Sequence, residues 1–257
     1  RKSLISACDA SLRRLQTDYI DLYWMHLWDR FTPIDETLRA LDDLAQAGKV
    51  RYVGFSDTPA WKVAQAQVMA AFRGWAPLIA LQIEYSLIER TVEGEMMPMA
   101  QELGLGVTPW SPLRGGVLTG KYTRENRDKI EPGRGDRVKD YLTESTFGII
   151  DELSQIADAH ETSPAAIALA WVQGRAGVDS TIIGARTIQQ LESNLSALRV
   201  ELETDEIEAL DEASKPTLSF PIPFLEMAHN LMHAGATVDG VPSESPVLLP
   251  KSDEERY

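Results

Sequence analysis

Short apolar runs alternate with longer segments of helical period along most of this chain, and no other feature restricts its fold as much. The first run, residues 19–25, is β-branched and aromatic and ends in a loop at 27–30, so it predicts a buried strand. Thr32-Pro33 then predicts a helix start, with threonine as N-cap and proline in the first turn. Ile34, Leu38, Leu41 and Leu44 follow on one face until Gly48 stops the helix. The unit repeats. Strands are predicted at 50–55, 78–85, 105–110 and 180–183, and helices after Thr58-Pro59, at 96–103, about 146–159, 164–175, 187–198 and 204–213. A further helix opens the chain, with Leu4, Cys8, Leu12 and Leu15 as its apolar stripe.

Alternating strands and helices with near-continuous apolar strands imply an α/β fold: a parallel sheet covered by helices. Five strands are visible, whereas a closed barrel of this class has eight. Arg1 is not an initiator methionine, which favours a TIM (β/α)8 barrel lacking about its first three strands over an open sheet. One barrel domain is expected over 1–239, and the proline-punctuated, charged stretch 240–257 reads as a mobile tail.

Composition narrows the partners. With 25 basic against 39 acidic residues the formal charge is −14, which disfavours nucleic-acid backbones and anionic membrane surfaces. The residues present contain neither a signal-peptide pattern nor an apolar run of about 18 residues. The lone Cys8 cannot form an internal disulfide and sits in an apolar stripe, so a small core residue in a cytoplasmic protein fits.

Chemistry is expected where strands end. In a parallel barrel the C-terminal strand ends face the active site, so His26, closing the first strand, is a candidate. The run Leu15-Gln16-Thr17-Asp18-Tyr19-Ile20-Asp21-Leu22-Tyr23-Trp24-Met25-His26 resembles the fourth strand of aldo-keto reductases. Gly48-Lys49-Val50-Arg51-Tyr52-Val53-Gly54-Phe55-Ser56 resembles their fifth. Gln82-Ile83-Glu84-Tyr85-Ser86-Leu87-Ile88-Glu89-Arg90, Thr108-Pro109-Trp110-Ser111-Pro112-Leu113 and Ile183-Gly184-Ala185-Arg186-Thr187, with Gln190, Leu191 and Asn194, complete the set in the family's order. The branch resembled includes bacterial general reductases and potassium-channel β subunits.

The resemblance implies NADP(H) as cofactor and a small aldehyde or ketone as substrate. It implies that Trp110 stacks on the nicotinamide while Ser56 and Gln82 bind its carboxamide. Asp57 stands where the family usually has asparagine or arginine. Ser111, Pro112, Leu113 and Gly116, with Lys121, fall to the pyrophosphate; their loop follows a strand, where backbone N–H groups can approach an anion. Gly184 and Arg186 lead into a helix N-terminus, where a guanidinium suits a phosphate monoester, hence NADPH rather than NADH. Gln190 and Asn194, four apart on one helix face, fall to the adenine, although Thr187 with Gln190 also reads as a capping box. Of the family's catalytic group only His26 is present; the tyrosine, lysine and aspartate are expected upstream of Arg1. The chain alone is then inactive. A non-catalytic NADP(H)-binding regulatory subunit and an inactive fragment are the competing readings.

Two motifs point elsewhere. Gly115-Gly116-Val117-Leu118-Thr119-Gly120-Lys121-Tyr122 follows the phosphate-loop pattern until tyrosine replaces the magnesium-binding hydroxyl residue. His229 and His233 are one helical turn apart without a third ligand, so no metal site is expected.

Overall fold

Four parallel strands, β1 (Ile20–Met25), β2 (Val50–Ser56), β3 (Leu78–Glu84) and β4 (Gly106–Trp110), lie side by side in chain order. The computed structural model describes residues 1–127 and 136–244. Helices α1 (Lys2–Leu15), α2 (Ile34–Gln46), α3 (Ala60–Arg73) and α4 (Met96–Glu102) precede or connect the strands. The chain then continues through α5 (Asp136–Lys139), α6 (Glu144–Ala159), α7 (Pro164–Gln173), α8 (Ile188–Leu195) and α9 (Thr204–Ala213). This is the strand–helix repeat of an α/β barrel segment. Two compact units are present, Arg1–Lys215 and a second beginning at Pro216. The second holds α10 (Ile222–His233) and a short antiparallel pair, β5 (Thr237–Val238) with β6 (Val241–Pro242). Residues 245–257, most of the expected tail, lie outside the described residues.

Period-two alternation sorts the sheet's side chains. Val53, Phe55, Leu81, Ile83 and Val107 share one face and are buried to 1% exposure or less. Their core is continuous with Leu38, Leu41, Val63, Ala66 and Trp171 from the helices. On the other face Trp24 lies across Gly54, its register partner. A Cβ at residue 54 would stand 2.5 Å from the indole, so only glycine allows this approach.

Three expectations change. The run at 180–183 forms no ladder strand: the chain beside β4 makes one parallel bridge, Val107 with Val178. Asp179 N–H then donates to the Val107 carbonyl (2.9 Å) and Ile182 N–H to that of Pro109 (2.8 Å). The Asp179 carboxylate accepts the Val107 N–H (2.9 Å), replacing a backbone partner. Thr32 and Thr58 are not N-caps; α2 and α3 begin one residue later, at Pro33 and Pro59 caps. Competing acceptors explain it. The Thr32 hydroxyl donates to the Asp29 carboxylate and that of Thr58 to the Ser56 carbonyl. Ser163, whose hydroxyl also meets that of Ser193 (3.3 Å), does cap α7 by accepting the Ala166 N–H (3.2 Å). Leu15 is exposed, so the stripe of α1 ends at Leu12.

A buried polar knot ties the segment after β3 to α9. Arg90, 6% exposed, donates from Nε and Nη2 to the two Glu93 oxygens (2.8 and 3.0 Å). Its Nη1 donates to the Asp211 carbonyl and the Ser214 hydroxyl (2.9 and 2.7 Å). Trp171 of α7 lies between the Arg90 and Arg175 guanidinium groups, 5.0 and 4.7 Å from its ring centre, and donates its indole N–H to Asp211 (3.0 Å).

Gly54→Ala is expected to destabilise the fold by about 1–3 kcal/mol through overpacking against Trp24, read as a lowered Tm. Glu93→Ala leaves a buried guanidinium without its bidentate partner and is expected to cost about 3 kcal/mol. Lys215→Ala, at an exposed pair with Glu212, is expected to change stability by less than about 0.5 kcal/mol in the same melts.

Candidate active site

Register places the candidate residues together. Trp24 is level with Gly54, Ser56 with Gln82, Gln82 with Thr108, and Glu84 with Trp110. Because side chains alternate, Ser56, Gln82 and Trp110 all project from the face that carries Trp24 and Gly54, at the C-terminal ends of three adjacent strands. His26 follows directly on the last residue of β1. It is exposed, and its ring makes no hydrogen bond to any described residue. Ser56 is 2% exposed; Gln82 and Trp110 are half-buried.

Asp57 joins the strand ends. Its N–H donates to the Gln82 carbonyl (3.2 Å), and its carboxylate accepts the indole N–H of Trp110 (3.0 Å). One residue thus spans from β2 across β3 to β4. Its backbone is left-handed, φ 43°, a conformation that aspartate and asparagine tolerate better than most side chains. The sequence marks Asp57 only as a departure from a motif; its link to Trp110 crosses 53 residues and has no local signal.

The loop after β4 coils tightly. Ser111, Arg114, Gly115, Gly116 and Gly120 all have positive φ. Arg114 N–H donates to the Ser111 carbonyl and Gly116 N–H to that of Leu113 (2.8 and 2.9 Å). Gly116 therefore supplies clearance rather than a free donor: a Cβ there would meet Lys121 Nζ at 3.0 Å. Pro112 is buried and Leu113 half-buried beneath the loop. Arg114, unmarked by the sequence reading, pairs with Glu84 and stacks on Tyr141 at 4.1 Å, anchoring the loop to β3. Within this run Arg114–Thr119 is a 3-10 segment kinked at Gly115 and Gly116, not the helix start that a phosphate loop requires.

A second cationic corner opens α8. Gly184 has no neighbour within 4 Å of where a Cβ would be, and Arg186 is exposed. Thr187 caps the helix by accepting the Gln190 N–H (3.2 Å), while Gln190 Oε1 accepts the Arg186 N–H (2.9 Å), one residue short of a full capping box. Asn194 Nδ2 donates to the Gly184 carbonyl (3.3 Å). Gln190 and Asn194 thus brace the turn that carries Arg186. Among the described residues neither Arg186 nor Lys121 forms an ion pair, although the chain carries fourteen excess acidic charges. Exposed cations without an ion pair on the loop after β4 and at the start of α8, with a half-exposed indole at the end of β4, fit an anionic ligand with a flat ring.

Tyr85 follows β3 but faces another environment. Its hydroxyl donates to Glu93 (2.7 Å), and burial together with that carboxylate pushes the phenol far above its usual range. It holds its proton and lies outside the sheet face that bears Ser56, Gln82 and Trp110. In α10 the His229 and His233 rings are 4.7 Å apart, and among the described residues no three potential metal-binding side chains converge. No helix among the described residues is long and apolar enough to cross a membrane.

Comparison with known proteins agrees with this geometry. The aldo/keto reductase family model matches residues 1–215, ending with the first compact unit. An uncharacterized oxidoreductase of Bacillus subtilis is 37% identical over 204 residues, 79% of this chain and 61% of that protein. A putative aryl-alcohol dehydrogenase of Saccharomyces cerevisiae is 35% identical over 86% of this chain and 59% of its own length. A norsolorinic acid reductase of Aspergillus flavus is 36% identical over 87% and 56%. The chain therefore spans roughly three fifths of the length of these relatives. The match over residues 1–215 places this chain in the aldo/keto reductase family.

Proposed function

We propose that this chain carries the cofactor site of an NADPH-dependent reductase of small aldehydes or ketones. The reading rests above all on one observation: Ser56, Gln82 and Trp110 share one sheet face at the C-terminal ends of three adjacent strands, with His26 directly after β1. The names of the relatives, an aryl-alcohol dehydrogenase and a norsolorinic acid reductase among them, support oxidoreduction of carbonyl or alcohol carbon. A cytoplasmic setting suits such chemistry and the buried free Cys8.

In this reading Trp110 gives the nicotinamide a flat wall, and Ser56 and Gln82 hold its carboxamide, fixing which ring face meets the substrate. The turns at Ser111, Pro112, Leu113 and Gly116, with the Lys121 ammonium, take the pyrophosphate. Arg186, beside Gly184, takes the phosphate on the adenosine ribose, and Gln190 and Asn194 border the adenine. When bound, the cofactor supplies the hydride. His26 donates toward the carbonyl oxygen and orients it. Protonation of that oxygen falls to the family's tyrosine, assisted by lysine and aspartate, which the family resemblance puts in segments preceding Arg1. Tyr85 does not substitute for it, since its proton is held by Glu93 and by burial.

Two measurements test this. In equilibrium titrations by tryptophan quenching the chain is expected to prefer NADPH to NADH. Arg186→Ala is expected to weaken NADPH by about tenfold to a hundredfold, the loss of a charge-assisted contact, and to leave NADH unchanged. Equal affinities with no effect of Arg186→Ala would remove the assignment. The isolated 257 residues are expected to bind NADPH without oxidising it in the presence of an aldehyde; steady turnover followed at the NADPH absorbance would show that the proton donor lies within the chain.

A further inference from the structure

Asp57 carries a charge that its structural duties do not require. Its left-handed backbone and its acceptor bond to Trp110 would be served as well by asparagine, which tolerates φ 43° and offers the same carbonyl-type oxygen to an indole N–H. Among the described residues no lysine, arginine or histidine pairs with the carboxylate, so its negative charge has no counter-ion among them. Lys121 and Arg186, which like several other cations form no ion pair among the described residues, lie elsewhere, on the loop after β4 and at the start of α8. A lone carboxylate at the edge of an indole favours a positively charged group on the indole's face over a neutral one of the same shape.

We infer that Asp57 is a positioning and charge-selecting residue: it holds the Trp110 indole and, through its negative charge, makes the site prefer the oxidised nicotinamide, which is cationic, over the reduced one, which is neutral. The inference rests on the stacking assigned to Trp110 above. The two nicotinamide forms differ by one unit charge on the ring while sharing every phosphate, so the preference is specific to the nicotinamide end. The same charge opposes neutralisation of the ring and assists the change from neutral to cationic as hydride departs toward a carbonyl carbon.

The test is a comparison of three ligands with wild type and Asp57→Asn: NADP⁺, NADPH and adenosine 2′,5′-bisphosphate, each titrated by fluorescence or calorimetry. Asp57→Asn keeps the backbone tolerance and the indole acceptor and removes only the charge. It is expected to raise the Kd of NADP⁺ by about five- to tenfold, as for loss of one partly screened charge pair. The Kd of NADPH is expected to change by less than about twofold, and that of adenosine 2′,5′-bisphosphate, which has no nicotinamide, not at all. The unchanged bisphosphate affinity also reports an intact fold. Equal losses for NADP⁺ and NADPH, or none for either, would overturn the charge selection while leaving the cofactor site in place. A wild-type chain that binds none of the three would instead overturn the cofactor assignment itself, and the inference with it. As a second readout, Asp57→Asn is expected to leave the NADPH-induced quenching amplitude of Trp110 near its wild-type value, and Asp57→Ala, which removes the acceptor too, to reduce it.

Discussion

Hydrogen-bonded register is the constraint on which everything at the strand ends depends. Parallel pairing fixes Ser56 against Gln82 and Glu84 against Trp110, and a slip of one residue in any pair would turn one member to the helix-covered face. The register is itself held by burial, because Val53, Phe55, Leu81, Ile83 and Val107 must all face the helices together. On the opposite face the Trp24 indole and Gly54 interlock, which admits no other pairing of β1 with β2. Chemistry-bearing side chains are thus positioned by apolar ones that never touch a ligand.

What the sequence made legible follows from this. Strand and helix positions were readable because their signals are local: apolar runs of five to seven residues, then amphipathic helices stopped by glycine. The four strands appear within a residue or two of their expected bounds. Ser163-Pro164 and Thr32-Pro33 look alike in sequence, yet only the first is a side-chain cap; the Asp29 carboxylate that takes the Thr32 hydroxyl is visible only once the loop has folded. The run at 180–183 has strand composition, but Asp179 diverts its side chain to Val107 and the ladder does not propagate. At the site, His26, Ser56, Gln82 and Trp110 could be named because they end strands. The Asp57–Trp110 and Arg114–Glu84 contacts join residues 53 and 30 positions apart, and no periodicity encodes them.

Electrostatics in this chain are organised by compensation rather than by net charge. The surplus of acid is general, yet guanidinium groups are matched in detail where they are buried: Arg90 by Glu93, Arg175 by Asp211, Arg114 by Glu84. Cations that form no ion pair among the described residues, Lys121 and Arg186 among them, and the Asp57 carboxylate are exposed. Buried ions without partners are costly, so unmatched ones collect where solvent or a ligand can reach them.

The knot around Arg90 also bears on the order in which the molecule can be completed. Its guanidinium answers to Glu93, three residues away, and to Asp211 and Ser214, 121 and 124 residues later. At a synthesis rate of about 5–20 residues per second, Arg90 leaves the ribosome roughly 6–24 seconds before its distant partners exist. During that interval Glu93 is present and these distant partners are not, so the sheet can form before α9 exists. Arrival of α9 then closes a contact of long sequence separation, so the last helix of the unit acts as the clasp of a sheet assembled before it.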